Sequence, residues 1–106
     1  MEISVTQEKE CVLFTVTGEI GEKEAEALRK CFIELDRSSV SEIIFDFSTV
    51  THIGSSGIGK LLLFNKELSV CGGSIRIENV SEMVYDLFRL LKLDTILSVS
   101  RAGKEV

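Results

Sequence analysis

Apolar and polar residues alternate at the start of the chain. Ile3 and Val5 occupy alternate positions in residues 2–7, and the alternation continues in residues 11–17 after a polar turn. A period of two is typical of strands that bury one face. We therefore predict two strands, which pair antiparallel because a short turn joins them. The glycine-bounded residues 18–21 are expected to end the second strand.

Three longer stretches have the spacing of amphipathic helices, with apolar residues every three or four positions. In the first of them, Ala25, Leu28 and Phe32 mark the apolar face. Gly72 follows the second stretch, where helices commonly end in glycine, and Ser81 begins the third, where serine commonly caps a helix. The predicted helices are residues 22–37, 56–70 and 81–91.

Short apolar runs separate these helices and predict further strands at residues 42–47, 74–78 and 95–99. The first run is nearly continuous, which favours a central strand covered on both faces. Strands that alternate with helices indicate βαβ crossovers and parallel pairing. We therefore predict a single α/β domain over residues 1–106, a sandwich in which a mixed, mostly parallel sheet of four to five strands packs with three or more helices (β-β-α-β-α-β-α-β). Residues 101–106 are predicted to be a frayed tail or a short helical stub.

Composition and charge narrow the class of protein. The 106 residues have a formal net charge of −5, which argues against a nucleic acid or an anionic membrane surface as partner. The chain begins without the basic and apolar regions of a signal peptide, and it has no apolar run of membrane-spanning length. We expect a soluble cytoplasmic protein without membrane insertion, present as a monomer or weak homodimer.

The three cysteines, Cys11, Cys31 and Cys71, are widely spaced and lie within apolar runs. Buried, reduced thiols are therefore expected. No two cysteines have the spacing of a zinc site, and the single histidine, His52, has no cysteine neighbour. We predict no metal and no cofactor.

The most informative segment is residues 54–60, Gly-Ser-Ser-Gly-Ile-Gly-Lys, which joins an apolar strand to an apolar helix. One interpretation is a strand-to-helix turn in which Ser55 or Ser56 is the helix N-cap. Another is a switch in which one serine is phosphorylated, because the start of a helix favours negative charge.

A third interpretation of residues 54–60 is a phosphate-binding loop of the G-x-x-x-x-G-K type. Leu61 stands where this loop needs a Ser or Thr to hold magnesium. The apolar strand is expected to end near Phe47, six residues before Gly54, whereas a phosphate-binding loop follows its strand directly. Both points argue against this interpretation.

The sequence resembles the STAS domain family, which includes bacterial anti-sigma factor antagonists. Residues 44–59 match the family's apolar strand, its Asp-x-Ser element and its Ser-Ser-Gly-apolar-Gly motif. The turn Gly18-Glu19-Ile20, the pair Gly72-Gly73 and the last predicted helix match as well, so the resemblance covers nearly the whole chain. Two positions depart from the pattern, because Gly54 and Gly21 stand where the family has Asp.

The resemblance implies a protein that binds an anti-sigma factor, often itself a serine kinase, and thereby releases a sigma factor. It also implies that phosphorylation of the first serine, Ser55 here, blocks binding, and that a serine phosphatase restores binding. Ser56 is the minor alternative as phosphoacceptor. Such a protein is a regulator rather than an enzyme. The predicted partner-binding residues are Gly21, Glu22, Gly54, Ser55, Ser56, Gly57, Ile58 and Lys60.

Two alternative functions remain open from the sequence. One is a STAS adaptor subunit of a lipid-transport complex or a stress-signalling assembly. The other is a nucleotide-binding protein that uses residues 54–60, for which magnesium-dependent binding lost in Lys60→Ala would be the indication.

Overall fold

The computed structural model describes residues 2–103, in which a five-stranded mixed sheet packs with three helices. The predicted α/β class and the predicted element order are confirmed. Single 3-10 turns at Arg37–Ser39 and Leu93–Thr95 lie in two of the connections. The elements are β1 (Ile3–Glu8), β2 (Cys11–Ile20), α1 (Glu22–Ile33), β3 (Glu42–Ile53), α2 (Ser55–Val70), β4 (Ser74–Val80), α3 (Glu82–Leu90) and β5 (Ser98–Arg101).

The strands lie in the sheet in chain order, from β1 to β5. β1 is antiparallel to β2, and all the other neighbours are parallel. Each parallel crossover joins adjacent strands, and the buried residues of β2, β3 and β4 alternate so that they all lie on one face of the sheet. The three helices therefore lie on this face, as right-handed crossovers require. Within residues 2–103, no helix lies over the other face.

The hydrophobic core lies between the sheet and the helices. Phe32 of α1 stacks on Phe64 of α2 with ring centroids 4.3 Å apart, and Phe64 also stacks on Phe45 of β3. These aromatic rings join both helices to the central strand. The strand residues on this face are fully buried at alternate positions, namely Val12, Phe14, Val16, Ile43, Phe45, Phe47 and Ile77.

β3 is covered on one face, so the prediction of a strand buried on both faces was wrong. Ile43, Phe45 and Phe47 are fully buried, whereas Ile44 and Asp46 between them are half-buried on the helix-free face. Ile44 made the run look continuous in the sequence. Its neighbours on the two flanking strands are Leu13 and Arg76, and they shield it only from the sides.

β2 and β3 are longer than predicted, and each reaches the start of a helix. β2 continues to Ile20, and β3 continues beyond Phe47 to Ile53. The pairing between them shifts register around Gly18, whose φ of 85° is a left-handed conformation that glycine adopts without strain. After the first bulge the buried positions of β3 are Val50 and Ile53, three residues apart. The alternation that marks a strand is therefore lost from this part of the sequence.

Three other boundaries differ from the predictions. α1 ends at Ile33 rather than Arg37, because the following residues turn toward β3. The last strand begins at Ser98 rather than residue 95, because a 3-10 turn precedes it. Arg101 belongs to β5 and not to a tail, and residues 104–106 of the predicted tail lie outside the described residues. Within residues 2–103, no helix has the length and apolarity needed to cross a membrane.

The three cysteines are free thiols. Cys11 and Cys31 are half-buried, and Cys71, just after α2, is exposed. The prediction of buried thiols was therefore wrong for Cys71 and is confirmed only in part for the other two. The pKa of the Cys31 thiol is raised by burial and by the nearby Glu34 carboxylate. Cys31 is therefore protonated and unreactive at neutral pH.

Ser81 caps α3 as predicted, because its Oγ accepts a hydrogen bond from the Val84 N–H at 3.2 Å. Ser81→Ala removes this acceptor and is expected to lower the free energy of unfolding by about 1 kcal/mol. The control is Ser98→Ala, at an exposed serine of β5, which is expected to stay within about 0.5 kcal/mol of the parent. Urea unfolding of the two variants measures the difference. An equal loss of unfolding free energy in the two variants would show that the Ser81 cap does not stabilise the protein.

Candidate functional site

The predicted site lies where the parallel strands end. The last residues of β2 and β3, Ile20 and Ile53, are paired. The Gly54 N–H donates a hydrogen bond to the Ile20 carbonyl oxygen at 2.9 Å, which ties the two connections together. We use the term carboxyl edge for the ends of β2, β3 and β4 together with the first turns of α1, α2 and α3. The predicted residues Gly21, Glu22, Gly54 and Ser55 all lie at this edge.

Gly21 is the N-cap of α1. Its N–H donates a hydrogen bond to Oε1 of Glu24 at 3.0 Å. A Cβ added at Gly21 would lie 3.1 Å from the same oxygen. The Glu24 carboxylate therefore occupies the space that a side chain at position 21 would use. Together with the exposed Glu22 it gives the first turn of α1 two negative charges, which the helix dipole favours.

Gly54 is the N-cap of α2, so the interpretation in which Ser55 or Ser56 caps the helix was wrong. Both serines already lie within the helix as its first two residues. The first main-chain bond of the helix runs from the Ile58 N–H to the Gly54 carbonyl oxygen at 3.1 Å. The N–H groups of Ser55, Ser56 and Gly57 consequently have no acceptor within α2.

The start of α2 differs from the other two helix starts at the carboxyl edge in its charge. α1 has Glu22 and Glu24 in its first turn, and α3 has Glu82, but the first turn of α2 has no acidic residue. The positive end of the α2 dipole is therefore not neutralised by a carboxylate of its own first turn.

The two serines at the start of α2 differ in exposure. Ser55 is exposed and Ser56 is half-buried. The Ser55 hydroxyl is thus the more accessible of the two to another protein.

Gly57 faces the sheet and is buried. A Cβ at this position would lie only 2.8 Å from Cγ2 of Ile20 and 2.8 Å from Cγ1 of Ile53. The prediction that Gly57 contacts a partner directly does not fit this burial. The residue acts instead by letting α2 approach the ends of β2 and β3, which sets the position of Ser55.

The phosphate-binding-loop interpretation requires a glycine-rich loop over residues 54–60. Because β3 reaches Ile53, the expected gap of six residues between the strand and Gly54 does not exist. However, Gly54 alone lies between β3 and α2, and residues 55–60 form the first turns of the helix. No loop wraps around a phosphate here, so this interpretation and the nucleotide-binding alternative that depends on it are wrong.

The remaining predicted residues lie further along α2. Ile58 is half-buried and packs against the hydrophobic core. Lys60 is also half-buried and follows Ser56 by about one helical turn. The exposed part of the predicted surface is therefore concentrated at Glu22, Gly54 and Ser55. Within residues 2–103, no cluster of three or more potential metal ligands occurs.

Two residues of the carboxyl edge were not predicted from the sequence. Glu24 could have been recognised, because a Glu three residues after an N-cap position is the acidic half of a capping box. Met83, in the first turn of α3, is 63% exposed and adds an apolar side chain to the edge. The sequence could have indicated that Met83 is exposed, because it lies outside the buried stripe of α3 that Val84 and Phe88 form.

Comparison with known proteins identifies the family. Residues 2–105 match the family model of the STAS domain, and the chain belongs to the STAS domain family. An anti-sigma-B factor antagonist of Bacillus subtilis (strain 168) is 26% identical over 100 residues, which cover 94% of this chain and 91% of that protein.

Solved structures share the fold. The anti-sigma factor antagonist SpoIIAA in its unphosphorylated form has a TM-score of 0.75 and 21% identity, with 97% of this chain and 90% of that chain covered. The Bacillus cell fate determinant SpoIIAA in its phosphorylated form has a TM-score of 0.74 and 22% identity, with coverage of 92% and 90%. These relatives confirm the resemblance to anti-sigma factor antagonists that the serine motif indicated.

Gly57→Ala is expected to lower the free energy of unfolding by about 1–3 kcal/mol, because the added methyl group would overlap Ile20 and Ile53. Gly59→Ala is the matched control in the same helix, since an added Cβ there has no other atom within 4 Å. This variant is expected to gain up to about 1 kcal/mol through helix propensity. Urea unfolding measures both values, and equal stability of the two variants would refute the close packing of α2.

Gly54→Asp is expected to fold and to raise the free energy of unfolding by about 0.3 kcal/mol. Position 54 has φ −90° and ψ 178°, an extended conformation open to any residue. Its Cβ would lie 3.7 Å from the Ile20 carbonyl oxygen, an ordinary contact. The carboxylate can then accept a first-turn N–H. Gly54→Ala, which adds no acceptor, is the control, and a loss above about 1 kcal/mol in both variants would show that position 54 requires glycine.

Proposed function

We propose that this chain is an anti-sigma factor antagonist. It binds an anti-sigma factor at the carboxyl edge, around Ser55, and this binding releases a sigma factor. Phosphorylation of Ser55 switches the binding off. The proposal rests on the exposed Ser55 hydroxyl at the first position of α2, in a helix start that has no acidic residue.

Ser55 lies where both a kinase and an anti-sigma factor can reach it. A kinase needs the hydroxyl itself, and an anti-sigma factor needs the surface around it. Ser55 is exposed, and its neighbour Gly54 has no side chain that could shield it. The partner therefore meets main chain and one small hydroxyl at this point of the carboxyl edge.

The charge of the α2 start suits a phosphate on the free protein. A phosphoserine adds about −1.5 to −2 charges and three acceptor oxygens. The free N–H groups and the dipole of α2 favour this charge, and no carboxylate of the first turn opposes it. The phosphorylated chain is consequently expected to keep its fold.

In the complex the same phosphate is unfavourable, because the partner would remove it from water. A penalty of roughly 3–4 kcal/mol for a poorly paired buried charge corresponds to a loss of about 10²–10³ in affinity. The switch therefore needs no change of shape. Gly57 and the Gly54–Ile20 hydrogen bond hold the α2 start in one position in both states.

The relatives support this role. One is named an anti-sigma-B factor antagonist, and SpoIIAA has been solved in unphosphorylated and phosphorylated forms. By analogy with the family, the anti-sigma factor partner is itself the serine kinase, and a serine phosphatase reverses the modification. The chain acts as a cytoplasmic regulator by binding alone, without catalysis or a cofactor.

Ser56 is the less suitable phosphoacceptor. It is half-buried, so a kinase reaches its hydroxyl less easily than that of Ser55. A phosphate at Ser56 would also lie one turn from Lys60, whose ammonium group would partly neutralise the added charge. Ser55 has Gly59 one turn further along α2 instead of a lysine, so a switch that works by added charge is better placed there.

Ser55→Asp is expected to stay folded but to lose binding of the anti-sigma factor by about 10²-fold or more, whereas Ser55→Ala binds like the parent. The added carboxylate is favourable at a helix start by about 0.3–1 kcal/mol, so unfolding cannot explain the loss. The partner is first captured from lysate of the native host and identified by mass spectrometry. Affinities are then measured with the purified partner by calorimetry.

The control is Ser69→Asp, which adds the same charge at an exposed serine near the other end of α2. It is expected to leave the affinity unchanged. Equal affinity of Ser55→Asp and Ser55→Ala for the partner would refute the switch. Equal weakening by Ser55→Asp and Ser69→Asp would show that net charge, and not the carboxyl edge, controls binding.

A further inference from the structure

The helix-free face of the sheet has an apolar groove at the end opposite to the carboxyl edge. The groove has a volume of about 390 Å³. Its floor combines the side chains of Cys11, Leu13 and Ile44, and its side on β1 is formed by Thr6 and Glu8. Leu13 and Ile44 are directly paired across β2 and β3. Leu13 is 38% exposed, although apolar residues of the other face of these strands are fully buried.

The surroundings of this groove are acidic. Glu8 lies opposite Cys11 across β1 and β2, and Glu42 lies opposite Cys11 on the other side, across β2 and β3. Arg76 lies next to Ile44 on β4 and is already paired with Glu42 at 3.4 Å and with Glu78. The guanidinium of Arg76 is therefore neutralised within the sheet, and none of the ion pairs found among residues 2–103 includes Glu8.

We propose that this groove docks a basic amphipathic helix of a partner protein. Leucine or isoleucine side chains of that helix fill the space between Leu13 and Ile44, and a lysine or arginine beside them pairs with Glu8. A sheet that has helices on one face can bury its other face against a helix of a second protein. Charge complementarity selects the basic partner.

Two other occupants fit the groove less well. A second copy of this chain docked through the same groove would offer Glu8 no unpaired guanidinium, because Arg76 beside the groove is already paired with Glu42 and Glu78. A small molecule would be enclosed from one side only, because every lining residue belongs to the strands β1, β2 and β3, whereas small-molecule sites bury most of their ligand.

The groove is separate from the surface around Ser55. Cys11 stands at the start of β2, whereas Ile20, at the end of the same strand, reaches the carboxyl edge. α2 lies on the other face of the sheet. Docking in the groove is therefore independent of the proposed function, and the chain can hold one partner at each surface.

The test uses an 18-residue model peptide of leucine and lysine with helical amphipathic spacing, titrated against the whole protein and followed by fluorescence anisotropy. We expect saturable binding that Leu13→Asn weakens about tenfold and that Glu8→Gln weakens several-fold. Leu63→Asn is the matched control, because Leu63 of α2 is 40% exposed and lies in the helical layer. It should leave the affinity unchanged.

Three outcomes would overturn the proposal. The first is no saturable binding up to about 1 mM protein. The second is equal weakening by Leu13→Asn and Leu63→Asn, or equal binding of a peptide in which glutamate replaces every lysine. The third is self-association in sedimentation equilibrium that Leu13→Asn abolishes, because the groove would then be an interface between two copies of this chain.

Discussion

The contact of Gly57 with the side chains of Ile20 and Ile53 determines where α2 lies on the sheet. Because position 57 has no Cβ, the helix approaches the ends of β2 and β3 closely and begins two residues after Ile53. The hydrogen bond from Gly54 to Ile20 fixes the same junction through the main chain. Ser55 is consequently presented by rigid elements and not by a loop. A change of its charge can then act on a partner without any change of fold.

The placement of the helices has a second consequence. The three helices of residues 2–103 lie on one face of the sheet, so the carboxyl edge and the helix-free face are separate surfaces, and we assign one proposed partner to each. The carboxyl edge has main-chain N–H groups at the start of α2 and one small hydroxyl, which suit control by a phosphate. The helix-free face combines the apolar pair Leu13 and Ile44 with the carboxylate of Glu8, which suits an apolar, basic partner. This small protein can therefore bind a basic partner on its helix-free face while a phosphate controls binding at its carboxyl edge.

The sequence predicted the element order and the antiparallel start, because alternation, helical spacing and the cap at Ser81 are local signals. It did not predict the far half of β3, because the bulges around Gly18 replace alternation with a spacing of three between Val50 and Ile53. Nor could it show that Gly57 is buried, since that depends on two strands distant in the chain. The groove was missed because Ile44 made β3 look buried on both faces, and only the topology shows that one face is open.

The most direct measurement compares the protein carrying phosphoserine at position 55 with the unphosphorylated protein, by amide NMR spectra and by titration with the purified anti-sigma factor. If charge alone operates the switch, shift changes stay within the first turns of α1 and α2, and affinity falls by more than about a hundredfold. Shift changes spread through the sheet would indicate a conformational switch. Unchanged affinity would contradict the role of Ser55 altogether.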